Sequence, residues 1–499
     1  MNTFMSNLER DTNYKRTENG AVAHKSTLSA VYDMFAFGGA YRNRTDEDCI
    51  VLFKKALDEN PDFAMKCLFY LRDIRGGQGE RRFFRVCFDW LCNNHPSIAK
   101  PNLVNVSEYG RWDDLIYATY HTYVWLDALA IIKHQLAIDV ECKTPSLLAK
   151  WLPSENASSA TTKEVASAIR VYLGMTHKQY RKMLSALRTR INIVEKLMSE
   201  GRWDEIEFDK IPSRAGLIYR NAFARRDIIA KKYESFVKDE TKTVNAKDLY
   251  PYDIVGQITP HCGWRGLSSM SDVERAALQK SWNNLPDYFE GTEQSMIAVV
   301  DTSGSMTWGI GQVKPIDVAV SLGLYCAERN KGAFANKYIS FSSRPQLIDT
   351  TGVDLADKVQ RIIKTNLCEN TNLEATFALL KRAALHSNPE DIPSTVVIIS
   401  DMEIDEGRGY SRWCKDDNDD VKTLMEQIRE DWNRSGLEMP KLVYWNVNAR
   451  NDTVLDLGPY TTYASGASPV TFQMVMTGKT GIDLMLDKLN SKRYENVVA

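Results

Sequence analysis

Met296-Ile-Ala-Val-Val-Asp301-Thr-Ser303-Gly-Ser305-Met306 is the stretch that decides the fold. A short apolar run ends in an aspartate, and hydroxyls follow at every second position. A run of this length reads as a strand buried on both faces, as in a parallel sheet. Its polar residues then fall on the loop leaving the strand's carboxyl end, where open α/β sheets bind ligands. Asp301, Ser303 and Ser305 offer hard oxygen donors from one tight loop, with Gly304 in the turn. A small divalent cation, Mg²⁺ or Mn²⁺, takes such donors and completes its shell with waters and groups from other loops. The plainer alternative is a serine-rich turn after a strand.

Downstream of this loop the pattern alternates between helix and strand. Helices are read at about 316–330, 353–363, 374–386, 421–433 and 482–489. Strands are read at 337–341, near 346–348, and at 396–400, 442–447 and 471–476. This alternation predicts a doubly wound sheet over residues 291–499. Gly478-Lys479-Thr480 imitates the end of a phosphate-binding loop, but Gln473 stands where that motif needs its first glycine, so nucleotide binding is rejected there.

The loop resembles the metal-ion-dependent adhesion site of von Willebrand factor A domains. That family adds a threonine from a second loop and an aspartate from a third. The resemblance therefore implies Thr371, in Asn370-Thr371-Asn372, and Asp401, at the end of Val396-Val-Ile-Ile-Ser-Asp401, as further metal ligands. Thr365 and Thr376 are rivals for the second-loop position. Met402-Glu403-Ile404-Asp405 makes the third loop richer in carboxylates than the family pattern. The resemblance covers about the last two-fifths of the chain.

Upstream, residues 1–25 read as a polar arm and 26–290 as helical. Apolar residues recur at three- and four-residue spacing in 48–57, 63–71, 82–90, 124–134, 163–173 and 177–197. Short links carrying Pro or Gly join them, which predicts antiparallel helix pairs stacked as HEAT-like repeats. Gly110-Arg-Trp-Asp-Asp-Leu115 is echoed by Gly201-Arg-Trp-Asp-Glu-Ile206. Arg75-Gly-Gly-Gln-Gly79-Glu80 reads as an interhelical turn with a capping charge. Pro251 to about Thr292 shows no clean periodicity and reads as a joint. The helical part and the sheet are expected to have separate cores.

A net charge of −2 hides a local basic zone. Residues 170–232 hold roughly 15 Lys/Arg against roughly 7 Asp/Glu. Within it Thr176 is placed to cap a helix that starts with His177 and Lys178 and carries Arg181, Lys182, Arg188 and Arg190. Histidine and basic side chains at a helix start suit phosphate. Arg214, Arg220, Arg225 and Arg226 interleave with Tyr219 and Phe223, a mixture that can hold single-stranded RNA by charge and stacking. A solvated helix face and ordinary core aromatics are the competing readings.

Helices followed by an A domain is the layout of the Ro autoantigen (TROVE) family, and the chain resembles it. Leu71-Arg-Asp-Ile-Arg75 with Gly79-Glu80-Arg81, and the Thr176-His177-Lys178 helix start, are the local matches. Ser146-Leu-Leu-Ala-Lys-Trp-Leu-Pro153 and Tyr219-Arg-Asn-Ala-Phe223-Ala-Arg-Arg-Asp227 are similar to stretches of an uncharacterised family of phage and plant proteins with this layout. The resemblance implies a ring of helices closed by a Rossmann-like A domain. It also implies binding of small non-coding RNAs or of the single-stranded ends of misfolded ones.

Composition sets the outer limits. Nine cysteines, at 49, 67, 87, 92, 142, 262, 326, 368 and 414, form no C-x-x-C pair and read as reduced thiols of a cytoplasmic protein. No apolar run is long enough to span a bilayer, so no membrane role is expected. Seven dispersed histidines and no nucleophile elbow argue against a hydrolase. The expectation is a binding protein for RNA whose metal site takes a partner's carboxylate. A metal-dependent protein scaffold without RNA is the alternative, and a metal nuclease a distant third.

Overall fold

The computed structural model describes residues 9, 12–191, 194–261, 270–292, 294–307, 313–352, 354–365, 371–405 and 422–499, with 261 and 365 described by backbone alone. A helical N-terminal region leads into a C-terminal mixed sheet whose strands are mostly parallel. A hairpin of β1 (Tyr14–Arg16) and β2 (Val22–His24) precedes both. The sheet comprises β3 (Met296–Asp301), β4 (Lys337–Phe341), β5 (Leu347–Asp349), β6 (Thr395–Ser400), β7 (Lys441–Asn446) and β8 (Thr461–Ser465). Its order is β5-β4-β3-β6-β7-β8, with only the edge strand β5 antiparallel. The winding direction reverses between β3 and β6, so the crevice at their carboxyl ends is the topological switch point.

Alternation along the strands explains why both faces are covered. Ile297, Val299, Val396, Ile398, Leu442 and Tyr444 belong to one core cluster. Met296, Ala298, Val300, Val397, Ile399 and Trp445 belong to another. Helix Pro315–Arg329, buried along nearly its whole length, packs on β3 on the second face. Gly323 makes that approach possible, since a Cβ there would stand 2.3 Å from Val300 Cγ2. Helices Leu373–Ala384 and Leu424–Arg434 pack on the first face.

The expected separation of two cores does not hold. Helix Ala30–Phe37 lies directly on β8: the Tyr463 amide donates to Tyr32 Oη at 3.2 Å, and Phe37 meets the Tyr463 ring at 5.8 Å. One cluster runs from Ala21 through the N-terminal helices to Val497. The reason is coverage, because the Leu442, Tyr444 and Tyr463 side of the sheet would otherwise face water. The chain's end adds a second weld. Tyr494 is fully buried, stacks on Tyr109 at 5.5 Å and donates to Asp73 Oδ2 at 3.0 Å. Tyr494→Ala should therefore cost about 3–5 kcal/mol, as for other buried aromatics, seen as an earlier urea transition; a change under about 1 kcal/mol would show that the weld carries no weight.

Local chemistry explains most helix boundaries. Thr45 and Asp48 form a capping box for Asp46–Glu59, Asn60 and Pro61 open Pro61–Arg72, and Glu80 caps Arg81–Asn94. The last confirms the 75–80 segment as a capped interhelical turn.

Several expectations need correction. Thr471–Val475 is a helix, begun by the Ser468-Pro469 turn, whereas the missed strand is Thr461–Ser465. The stretch read as a joint holds helix Asp272–Asn283, announced by the Ser271/Glu274 capping box. The helix read over 177–197 is described as His177–Ile191 and Val194–Ser199. The helix read from Val353 is described over Leu355–Thr365, and Val353 itself lies outside the described residues. So do Asn370, Cys262, Cys368 and Cys414. The Gly-Arg-Trp echo is not a structural repeat: Trp112 opens a helix, whereas Trp203 sits in a 3-10 turn.

Candidate functional site

Asp301 and Asp401 leave the adjacent strands β3 and β6 at the switch point, and neither side chain is exposed. Asp301 Oδ1 accepts the Ser303 amide at 2.8 Å, which folds the loop back on itself. Its Oδ2 accepts the Ser400 hydroxyl at 2.6 Å. Ser303 and Ser305 hydroxyls lie 3.0 Å apart, and Ser305 is close enough to Asp401 to favour its carboxylate form. Thr371 is buried and donates to the Glu403 carbonyl at 2.8 Å, which anchors the second loop on the third and leaves the threonine's lone pairs. The structure thus joins Asp301, Ser303, Ser305 and Asp401 directly, with Thr371 set on the main chain two residues beyond Asp401. Of its rivals, Thr376 turns its hydroxyl to Asn372 O on its own helix, at 3.0 Å. The Thr365 side chain lies outside the described residues.

Burial dominates the electrostatics. It pushes the Asp301 carboxyl up to about 7, with the neighbouring Asp401 charge adding to it. Burial also raises Asp401, against the pull of Ser305 and Arg450. Two carboxylates placed side by side out of water favour a shared proton or a shared cation. Asp401 Oδ2 is buried and accepts no hydrogen bond from the described residues; Arg450 Nη2 stands 3.4 Å from it. This oxygen, with hydroxyls and a second carboxylate near it, fits the donor set of a hard divalent ion. Among the described residues no three His, Cys, Asp or Glu side chains gather as a metal group, so such a site depends on its hydroxyls.

The extra carboxylates of the third loop have other partners. Met402, between Asp401 and Glu403, takes a left-handed φ of 65°. Glu403 Oε2 accepts the Glu18 amide at 2.8 Å, and Asn19 Nδ2 donates to Glu403 O at 2.8 Å. Within the stretch read as an arm, the β1–β2 turn is thus a strap over the site's outer wall. Ser400, Arg450, Asn451 and Glu18 were missed by the sequence. Ser400 precedes the aspartate of a readable motif and offered a signal. The others are brought in by the fold alone.

The candidate RNA residues are dispersed in role. Thr176 caps its helix reciprocally with Gln179, as expected. His177 is exposed and pairs with Glu155 at 2.8 Å. Arg188 donates to Ala149 O and Leu152 O at 2.8 Å, and Arg190 to Asp139 O at 2.7 Å and Val140 O at 2.9 Å. These two guanidiniums therefore finish neighbouring helices. Lys178, Arg181, Lys182 and Arg225 are exposed, and Arg226 lies 4.7 Å over Trp203. Arg214 pairs with Asp253 at 2.9 Å and Arg220 with Gln257 at 3.0 Å. Phe223 is buried against Phe208 and Tyr233, so it is core. A cleft of about 530 Å³ beside the His177 helix is lined by Arg181, Arg188 and Lys196, but also by Glu155, Glu195 and Glu200.

Comparison with known proteins places the chain. Residues 17–168 and 139–291 match the family described as Domain of unknown function (DUF2828). Residues 295–496 match Domain of unknown function (DUF7788). The uncharacterized protein L728 of Acanthamoeba polyphaga mimivirus is 30% identical over 488 residues, covering 89% of this chain and 81% of that protein. The crystal structure of the Deinococcus radiodurans RO (RSR) protein aligns over 90% of this chain and 93% of its own, at 14% identity and a TM-score of 0.39. No helix among the described residues is long and apolar enough to cross a membrane. Since the DUF2828 matches together run from 17 to 291, more than half of the chain, and the mimivirus relative spans nearly all of it, the chain belongs to the DUF2828 family.

Proposed function

We propose that the carboxyl end of the sheet is a divalent-cation site of the von Willebrand A adhesion type, and that the protein captures a ligand there rather than transforming one. Asp301, Ser303, Ser305, Thr371 and Asp401 would hold Mg²⁺ or Mn²⁺, and the ion would supply an electrophilic point for an incoming oxygen. The observation that carries this reading is the buried Asp401 Oδ2, which accepts no hydrogen bond from the described residues, beside Asp301 and the paired serines. The strand order reverses at these two aspartates, which puts them at the ligand-binding crevice of an open α/β sheet and supports the reading. Two carboxylates and neutral hydroxyls leave the ion electrophilic, and no histidine or lysine of the described site is placed as a general base. Titrating Mn²⁺ into the intact chain by calorimetry tests the reading; heat with one-site stoichiometry supports it, and none at millimolar ion removes it.

A second reading, small non-coding or single-stranded RNA on HEAT-like helices, rests on Lys178, Arg181 and Lys182, exposed together at one helix start. Reversing these three while sparing the fold-building Arg188 and Arg190 should lower the slope of log affinity against log salt by about one unit per lost phosphate contact. Filter binding over a salt series with an unchanged slope would make them solvated cations only.

A further inference from the structure

We propose that Arg450 and Asn451 form a carboxylate receptor on the rim of this site, filled in this structure by the chain's own Glu18, and that its external ligand is an acidic side chain of a partner protein. The proposal rests on the reading of this end of the sheet as a ligand site, and it names the ligand.

Glu18 is held as a carboxylate ligand would be. Its Oε2 lies 3.0 Å from Arg450 Nη1, and its Oε1 accepts Asn451 Nδ2 at 3.1 Å. A charged donor on one oxygen and an amide donor on the other match both ends of a carboxylate. The same guanidinium reaches inward, with Nη2 3.4 Å from Asp401 Oδ2. Arg450 therefore bridges the buried carboxylate of the proposed cation site and a carboxylate at the surface. Nothing in the spacing of Glu18 and Arg450 along the chain announces this; the strap creates it.

The frame of the strap is fixed, while the Glu18 head group is free to exchange. Thr17, itself buried, donates to Ile404 O at 2.7 Å, the Glu18 amide is held by Glu403, and Gly20 bridges to Asp405. Ala21 and Ala23 are in the core. By contrast the side chains of Glu18 and Arg450 are 45% and 38% exposed. Exposed ion pairs contribute little to stability, so a carboxylate from outside can replace Glu18 without disturbing the strap.

The surroundings favour an acidic protein side chain over a nucleic acid. Among the described residues Arg450 pairs with the carboxylates of Asp401 and Glu18, and Glu403, held by the strap and by Asn451, adds a further negative charge beside them. A phosphodiester chain carries a charge at every nucleotide and would be repelled by this wall, whereas one carboxylate among neutral residues meets only its receptor. The occupant seen is itself a carboxylate on a turn, Thr17-Glu18-Asn19-Gly20.

The test uses the full chain and a fluorescein-labelled hexapeptide with the sequence of residues 16–21, Arg-Thr-Glu-Asn-Gly-Ala. In fluorescence anisotropy, Glu18→Gln should bind it about tenfold tighter than wild type, a difference of about 1.4 kcal/mol. Adding Arg450→Gln, or replacing the peptide's Glu by Gln, should abolish the gain. Equal affinity of wild type and Glu18→Gln, with near-UV circular dichroism confirming the fold, would overturn the proposal. So would indifference to Arg450, or a gain for a uridine decanucleotide in place of the peptide. Running both arms in Mg²⁺ and in EDTA separates the two claims. Arg450-dependent binding that persists while Mn²⁺ fails to bind upholds the receptor and removes the metal. Mn²⁺ binding with no peptide gain does the reverse.

Discussion

Asp114→Ala is expected to destabilise the helical region by about 3–5 kcal/mol, the cost of leaving buried charges without their partner. Asp114 is fully buried and Arg72 nearly so. Asp114 Oδ2 accepts Arg72 Nη2 at 2.6 Å and Nε at 2.8 Å, and its Oδ1 accepts Arg85 Nε at 2.7 Å. It also accepts the Arg111 amide at 3.0 Å, which fixes the start of helix Trp112–Thr119. Gly110 belongs to the same arrangement, since a Cβ there would meet Asp114 Oδ2 at 2.7 Å and Arg72 Nε at 2.9 Å. Alanine at 114 strands Arg72 in the core and uncaps a helix. The exposed Lys100–Asp127 pair, at 3.2 Å, is the control, and Asp127→Ala should leave the urea transition unchanged. Equal small effects at both positions would mean that Asp114 is dispensable.

Asp301→Ala is expected to weaken Mn²⁺ binding by more than about a hundredfold, since even outer groups around metal ligands cost 10–100-fold. The substitution removes a charge and a donor at once. It should not unfold the chain, because one of two like carboxylates leaves a site that excludes water, which relieves desolvation. Ser400→Ala keeps the charge but frees Asp301 Oδ2 from its 2.6 Å hydrogen bond. About tenfold weaker Mn²⁺ binding is expected from that loss of orientation. Calorimetry that ranks Ser400→Ala below Asp301→Ala would contradict this division of roles.

What was legible divides along physical lines. Asp301, Ser303 and Ser305 were readable because their donors are contiguous and follow an apolar strand. Asp401 was readable because it ends Val396–Ser400. Thr371 could be separated from Thr376 only by seeing that the Thr371 hydroxyl reaches the third loop while the Thr376 hydroxyl bonds back to Asn372. The strand Thr461–Ser465 was missed because a β8 buried on all five residues uses Thr, Tyr, Ala and Ser in place of branched aliphatics. The basic zone misled in part, since sequence counts charges without showing their partners: Arg170 is taken by Glu155 at 2.8 Å, and Arg188 by main-chain carbonyls. The pairing of Glu18 with Arg450, across most of the chain, leaves no local pattern. The shared core was invisible for the same reason, as Tyr32 and Tyr463 meet only in the fold.

The most direct measurement of the central claim is electron paramagnetic resonance of Mn²⁺ titrated into the intact chain, with Asp301→Ala and Asp401→Ala beside it. Using the intact chain matters because helix Ala30–Phe37 covers β8 and the strap completes the site. The wild type is expected to remove about one equivalent of the free six-line Mn²⁺ signal, Mg²⁺ to restore it in competition, and each variant to leave it free. Equal uptake by the wild type and Asp301→Ala would contradict the assignment of the switch-point aspartates as a cation site.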